Sequence, residues 1–100
     1  MAGENAPQIL AEMIDCYLEE SAKLLQAMQH AATVGDGAAL LKAAHMLKSS
    51  SASLGALTLS KMCKELEAIG RAGTTLDAPD KMLQLEAEYY KVKAALQIMN

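Results

Sequence analysis

Apolar residues recur at helical spacing along almost the whole chain. In the first segment they return at steps of three, four and seven residues, which is the period of a helix with one buried face. The stripe positions are Leu10, Ile14, Tyr17, Leu24 and Met28, with Leu18 and Leu25 on one flank and Met13 on the other. A stripe of this width predicts an amphipathic helix that packs against several neighbours.

Capping and turn residues divide the chain into four predicted helices. Asn5 is predicted to cap the first helix, with Pro7 in its first turn, and Asp36 is predicted to cap the second. Gly55 is expected to end the second helix by adopting a left-handed conformation. The predicted helices span residues of about 6–32, 37–54, 58–72 and 78–99.

The last two helices carry narrower stripes. One face of the third holds Leu59, Met62, Cys63, Leu66 and Ile69, and Gly70 and Gly73 are expected to loosen its end. The fourth repeats Met82, Leu85, Tyr89, Val92, Leu96 and Met99 at alternating steps of three and four. We therefore expect an all-α fold, an antiparallel up-down four-helix bundle that forms a single domain over residues 1–100. A dimeric coiled coil is the lesser alternative, because most of the stripes are too wide for a two-stranded seam.

Composition and charge narrow the function classes. A chain of 100 residues can build one core, and with three Tyr, no Phe and no Trp that core must consist of Ala, Leu, Ile and Met, which favours helices. Nine basic residues against twelve acidic ones, with no basic cluster, argue against nucleic-acid binding. No apolar run approaches the roughly 20 residues of a membrane span, and the first residues do not resemble a signal peptide. We expect a soluble, cytoplasmic monomer.

The cysteines and glutamates of the sequence do not form a pattern typical of a catalytic or metal site. Cys16 and Cys63 lie far apart in apolar surroundings and are expected to be buried, reduced thiols without a bound metal. Glu65 and Glu67 are two residues apart, so they point away from each other on a helix and do not suit paired-carboxylate catalysis. The chain has no phosphate-binding glycine loop, which makes ATP binding improbable.

The second helix contains the one candidate reactive group. Its core stripe comprises Ala43, Ala44, Leu47, Ser51 and Leu54, which all fall within about 60° of Leu40 on a helical wheel. His45 lies about 140° from Leu40 on that wheel and should face solvent. Lys48 and Ser49 share its face, and Leu41 and Ala52 make the rim apolar. By itself, such a histidine is more often a solvated residue than a reactive one.

A longer motif around this histidine resembles a known family. Residues 44–56 read AHMLKSSSASLGA and are similar to the signature of the histidine-containing phosphotransfer (HPt) domain, A-H-x-L-K-[GS] followed by L-G-A. The turn GD at 35–36, the stretch CKELE at 63–67 and RAG at 71–73 also resemble that family. Ser49 stands where many members have glycine, which keeps the position small.

The resemblance implies a phosphorelay carrier without kinase activity of its own. His45 would be the phosphoacceptor, through Nε2 by family analogy, while Lys48 neutralises charge and Ser49 permits close approach. The implied partners are a response-regulator receiver domain and a hybrid sensor histidine kinase. No cofactor is expected on this chain, and any Mg²⁺ would belong to the receiver. The expected partner-binding residues are Leu41, Lys42, Ala52, Met13, Ile14 and Leu18.

Two other functions remain open from the sequence. The chain could be the phosphoacceptor domain of a chemotaxis-type kinase, phosphorylated by an ATP-binding domain elsewhere. It could instead be a helical interaction module in which His45 is incidental. The donor of the phosphoryl group separates the first alternative from a receiver-coupled carrier, and binding that survives loss of the histidine identifies the second.

Overall fold

Four helices make up the protein in a computed structural model that describes residues 2–99, with side chains from residue 7 onward. They are α1 (Ala2–Val34), α2 (Gly37–Ser53), α3 (Leu57–Ala72) and α4 (Ala78–Met99). Connections of two to five residues join them, so that successive helices run in opposite directions. None of the helices over residues 2–99 is both long enough and apolar enough to cross a membrane.

The helices pack as a ring around one core. Each helix contacts the next along the chain, and α4 returns to contact α1. Within the described residues there is no strand. The predicted all-α, up-down four-helix bundle is therefore confirmed.

Local signals placed most helix ends correctly. Asp36 caps α2, because its carboxylate accepts a hydrogen bond of 3.0 Å from the Ala39 amide. Gly55, with φ of 81°, follows the end of α2 in the predicted left-handed conformation. The start of α1 was predicted wrongly, because the helix begins at Ala2 and both Asn5 and Pro7 lie inside it. Proline's fixed φ suits a helix, so the helix continues through Pro7 at the cost of one backbone hydrogen bond.

The core contains most of the predicted stripe residues. In α2 the buried residues are Leu40, Ala43, Ala44, Leu47 and Ser51, all of which were predicted, while Leu54 is half-buried. Three residues of the predicted stripes and their flanks lie outside the core, since Leu10 is 41%, Met13 53% and Met99 61% exposed. The 33-residue α1 is almost twice as long as α2, so its first turns extend beyond its neighbours. Met99 is the last residue of α4.

The two cysteines have different environments. Cys63 is buried in the core, and burial raises the pKa of its thiol to about 12, with a further contribution from nearby Glu67. Cys16 is exposed, which corrects the expectation that both thiols are buried. It lies between the buried stripe positions Ile14 and Tyr17, on a side of α1 that the stripe does not include. Both cysteines are free.

Two buried hydroxyl pairs connect α1 to its neighbours. The Tyr17 hydroxyl lies 2.9 Å from Ser51 Oγ on α2, and Ser21 Oγ lies 2.9 Å from the Tyr89 hydroxyl on α4. Both serines are fully buried. Each pair satisfies polar atoms that would otherwise be costly in a core of aliphatic side chains.

The two glycines near the end of α3 have separate roles. Gly73, with φ of 77°, ends the helix in a left-handed conformation. Gly70 was expected to loosen that end, but it is buried against the start of α2. Its lack of a side chain lets the two backbones approach closely, so this glycine serves packing rather than flexibility.

Candidate functional site

His45 lies on the outer face of α2, as the helical wheel predicted. Its side chain is 61% exposed, although the adjacent Ala44 and the nearby Leu47 are fully buried. The buried stripe fixes the orientation of α2, and the imidazole therefore points away from the core. This placement leaves the ring accessible to another protein.

A buried carboxylate from α3 lies beneath the imidazole. Glu67 Oε1 is 3.4 Å from His45 Nδ1, and the Glu67 side chain is only 7% exposed. Lys48 Nζ lies 2.8 Å from Oε2, and Arg71 Nη2 donates to Oε1 at 3.0 Å. One carboxylate thus contacts the histidine and two basic side chains.

The surrounding cations keep this carboxylate ionised. Lys48 first, and His45 and Arg71 to a smaller extent, together lower the pKa of Glu67 to about 2 against the opposing effect of burial. Glu67 is therefore negatively charged at neutral pH. With Lys48 and Arg71 both positive, the group beside the imidazole carries a net positive charge, which favours an incoming anion.

Sequence reasoning missed Glu67 and Arg71. It noted Glu67 as one half of a carboxylate pair and both residues as parts of the family-like stretches CKELE and RAG, but assigned neither a role in the site. A signal was present, because Glu67 is one turn after Cys63 and next to Leu66, on the apolar face of α3. A charged residue on a buried face requires partners, and here two of the three come from α2.

The two expected helpers on α2 have defined contacts. Lys48 is largely covered, and its backbone carbonyl accepts a hydrogen bond of 3.0 Å from the Ser60 hydroxyl of α3. The exposed Ser49 hydroxyl donates to the His45 carbonyl at 3.2 Å. The Ser49 side chain therefore lies against its own helix and leaves the space above the imidazole open.

A shallow groove of about 450 Å³ runs beside the histidine between α2 and α3. The expected partner-binding residues Leu41 and Lys42 line it. The other lining residues are His45, Ala38, Met46, Glu67 and Arg71. The α2 side of the groove is apolar apart from Lys42 and His45, and its α3 side is charged.

The other expected partner-binding residues are distributed over several surfaces. Ala52 is exposed on α2. Met13 is exposed in a separate groove of about 330 Å³ between α1 and α2, which Cys16 also lines. Leu18 is half-buried against the core. Ile14 is 1% exposed and so is not available to a partner, because it lies at the centre of the α1 stripe.

Nothing in the described part of the chain resembles a metal centre, since no three His, Cys, Asp or Glu side chains there are placed to hold an ion. The site's chemistry, as far as residues 7–99 define it, is that of one accessible imidazole, one buried carboxylate and two cations.

Comparisons with known proteins agree with the geometry. The family model of the Hpt domain matches residues 12–95. The crystal structure of histidine-containing phosphotransfer protein B (HptB) from Pseudomonas aeruginosa PAO1 is similar, with a TM-score of 0.83 and 32% identity, covering 87% of this chain and 76% of that chain. A search of curated proteins found no match. From its sequence match and its four-helix structure, the chain belongs to the Hpt domain family.

Proposed function

We propose that His45 accepts a phosphoryl group from the phosphoaspartate of a response-regulator receiver domain and donates it to another such aspartate. Membership of the Hpt domain family supports histidine phosphotransfer within a two-component phosphorelay. The observation that carries the proposal is the exposed imidazole whose Nδ1 lies against the buried Glu67 carboxylate. With Nδ1 against that carboxylate, Nε2 is the nitrogen that we propose to react.

The proposed transfer needs only the imidazole of His45 and the phosphorylated aspartate of the receiver as reacting groups. Nε2 of a neutral imidazole, with its proton on Nδ1, attacks phosphorus, and the bond between phosphorus and the aspartate oxygen breaks. The receiver's carboxylate leaves, and the phosphorylated ring keeps the Nδ1 proton and carries a positive charge. In the reverse step the carboxylate attacks phosphorus and neutral imidazole leaves. No proton has to enter or leave the ring.

Glu67, Lys48 and Ser49 would each support a different part of this reaction. Glu67 accepts the Nδ1 proton in a hydrogen bond, which orients the ring and stabilises its positive charge after transfer. Lys48 can move from the carboxylate toward the phosphoryl oxygens, because a dianion attracts an ammonium more strongly than a single carboxylate does. Ser49 is small enough to leave the ring uncovered. Catalysis of this kind depends mainly on positioning and charge.

The groove beside His45 is the surface on which the receiver would dock. Leu41, Met46 and the aliphatic part of Lys42 supply apolar contact, and Arg71 supplies charge at the edge. Any Mg²⁺ that assists the reaction would be bound by the receiver's carboxylates. A hybrid sensor histidine kinase is the proposed upstream source of the phosphoryl group.

Phosphotransfer from labelled receivers tests the proposal directly. The chain is incubated with phosphorylated receiver domains of its host, and label on the chain is followed over time. We expect label that is stable in base and labile in acid, and His45→Gln should reduce it by at least about 100-fold, since no other residue supplies the nucleophile. His30→Gln, a change at the other histidine, should retain full labelling.

Two further measurements distinguish this proposal from a chemotaxis-kinase phosphoacceptor domain and from an interaction module. A histidine-kinase catalytic domain with ATP should label the chain poorly when no receiver is present. Strong labelling in that arm would instead indicate the chemotaxis-kinase type of domain. Receiver binding without any labelling of His45 would indicate an interaction module and would contradict the proposal.

A further inference from the structure

The backbones of α2 and α3 approach closely one turn away from the proposed reaction site. Gly70 is three residues after Glu67 on α3, and Leu41 is four residues before His45 on α2. A Cβ atom built on Gly70 would lie 2.6 Å from the Gly37 carbonyl oxygen and 2.7 Å from the Leu41 amide nitrogen. A Cβ on Gly37 would lie 2.8 Å from the Gly70 carbonyl oxygen.

We propose that this backbone contact between Gly37 and Gly70 sets the depth at which Glu67 lies beneath His45, which makes Gly70 a positioning residue for phosphoryl transfer. The helices can be this close only because neither glycine has a side chain. The consequence for catalysis rests on the proposed function. The effect on Glu67 does not.

A single methyl group would separate the helices enough to matter. The atoms it meets belong to the backbone and cannot rotate away. Restoring an ordinary contact of roughly 3.5 Å requires a shift of about 1 Å near Gly70. Glu67 is on the same helix one turn away, so it moves outward with Gly70.

The contact between Glu67 and His45 has the least tolerance for such a shift. At 3.4 Å, the distance between Oε1 and Nδ1 is already at the long end for a hydrogen bond. Lys48 and Arg71 have long flexible side chains and can follow the carboxylate. The imidazole is short and is held by the buried face of α2. If the helices separate, Glu67 therefore loses its contact with the His45 ring before it loses its contacts with Lys48 and Arg71.

The test compares Gly70→Ala with Gly73→Ala, the same change three residues later. Gly73 has φ of 77° and no atom within 4 Å of a built Cβ, so alanine there strains the backbone without pushing α3 away from α2. At matched folded fraction, we expect Gly70→Ala to slow transfer from a phosphorylated receiver by roughly 10- to 100-fold. Gly73→Ala should stay within about twofold of the unaltered protein.

Titration of the Glu67 carboxyl by carbon NMR tests the geometry independently of phosphoryl transfer. In Gly70→Ala the pKa of Glu67 should rise above about 2, because the contact with His45 that helps to lower it is lost. Gly73→Ala should leave that pKa unchanged. Gly37→Ala approaches the same contact from α2 and should reproduce both effects, and it replaces Gly70→Ala if that variant does not fold.

The outcomes are distinct. An unchanged Glu67 titration and an unchanged transfer rate in a folded Gly70→Ala or Gly37→Ala protein overturn the positioning role. An equal loss of rate in Gly73→Ala also overturns it, since stability alone would then explain the effect. A protein that takes no phosphoryl group on His45, yet shows the Glu67 shift, overturns the proposed function and leaves the positional effect of Gly70 established.

Discussion

Glu67 is the residue on which the local electrostatics depend. A carboxylate that is almost fully buried is unfavourable unless cations or hydrogen-bond donors compensate for lost hydration. Lys48, Arg71 and His45 provide that compensation from two helices. The same contacts that make burial tolerable also orient the imidazole, so structure and proposed chemistry depend on the same residue.

The stability contributed by Glu67 should depend on pH in a defined direction. Its pKa is lowered from 4.5 to about 2 in the folded protein, so the stabilisation is complete above about pH 4.5 and disappears as the pH falls through about 2. We expect Glu67→Gln to lower the free energy of unfolding by about 1 kcal/mol at pH 7. That deficit should shrink steadily between pH 4.5 and 2, as measured by urea denaturation.

Glu65→Gln is the matched control for this measurement. Glu65 lies two residues away on the same helix, is exposed and pairs with Lys81 at 3.5 Å. Exposed pairs contribute little, so this variant should follow the unaltered protein within about 0.5 kcal/mol across the range. A deficit in Glu67→Gln that stays constant with pH would show that packing, not charge, accounts for it.

The sequence predicted the exposure of His45 but not the position of Glu67 beside it. The exposure of His45 follows from its angle to five buried positions on one helix, and all the information lies within 15 residues. Glu67 is 22 residues away and on another helix. Its relation to His45 depends on how α2 and α3 cross, which no local pattern specifies.

At the level of elements, the position of α1 is fixed by polar contacts as well as by its apolar stripe. The Tyr17–Ser51 pair joins it to α2, and the Ser21–Tyr89 pair joins it to α4. Aliphatic stripes tolerate sliding by a turn, whereas a buried hydroxyl pair is satisfied in only one register. These pairs therefore specify how α1 aligns with its neighbours.

A double-mutant cycle should detect the coupling between Tyr17 and Ser51. Each of Tyr17→Phe and Ser51→Ala leaves a buried hydroxyl without its partner, which should cost about 1–2 kcal/mol of unfolding free energy. The double variant should cost less than the sum of the two, by about 0.5–1 kcal/mol. Urea denaturation of the four proteins gives the coupling energy.

Ser53→Ala serves as a control for serine removal on α2. The Ser53 hydroxyl is exposed and donates to the Ser49 carbonyl at 3.0 Å, a bond that water can replace. Its loss should change stability by no more than about 0.5 kcal/mol. Strict additivity of Tyr17→Phe and Ser51→Ala would indicate that the hydroxyl pair does not hold the register.

Element boundaries show where local signals are sufficient. Asp36 and Gly55 were predicted correctly, because a capping side chain and a left-handed glycine act on their own helix ends. Asn5 and Pro7 carried a similar signal, yet α1 continues past them to Ala2. A capping pattern permits a helix to start without requiring it, and neither residue prevents the helix from continuing upstream.

At the level of the whole molecule, stability rests on one shared core. Every helix contributes fully buried side chains to the same cluster. The molecule is 51 Å long and about 20 Å wide, dimensions that follow from the length of α1 and the four-helix cross-section. His45 lies on the surface of this bundle, so a partner can reach its side chain without any opening of the helices.

Two leucines on α4, one buried and one exposed, test which face of this helix packs into the core. Leu85 is fully buried and Leu83 is exposed. Leu85→Ala should lower the unfolding free energy by about 2–5 kcal/mol through lost burial and an internal cavity. Leu83→Ala should change it by less than about 0.5 kcal/mol. Thermal and urea unfolding measure both, and equal losses would contradict the assigned packing of α4.

The sequence by itself determined the number of helices, their approximate ends, the buried face of α2 and the exposure of His45, because these depend on side-chain periodicity and capping within single segments. It also carried a motif sufficient to indicate the family. Only the tertiary structure decided that Glu67 lies beneath His45 and that Lys48 shares its carboxylate with Arg71. The physical reason is the close crossing of α2 and α3 at Gly37 and Gly70, which brings together charges that are far apart in the chain.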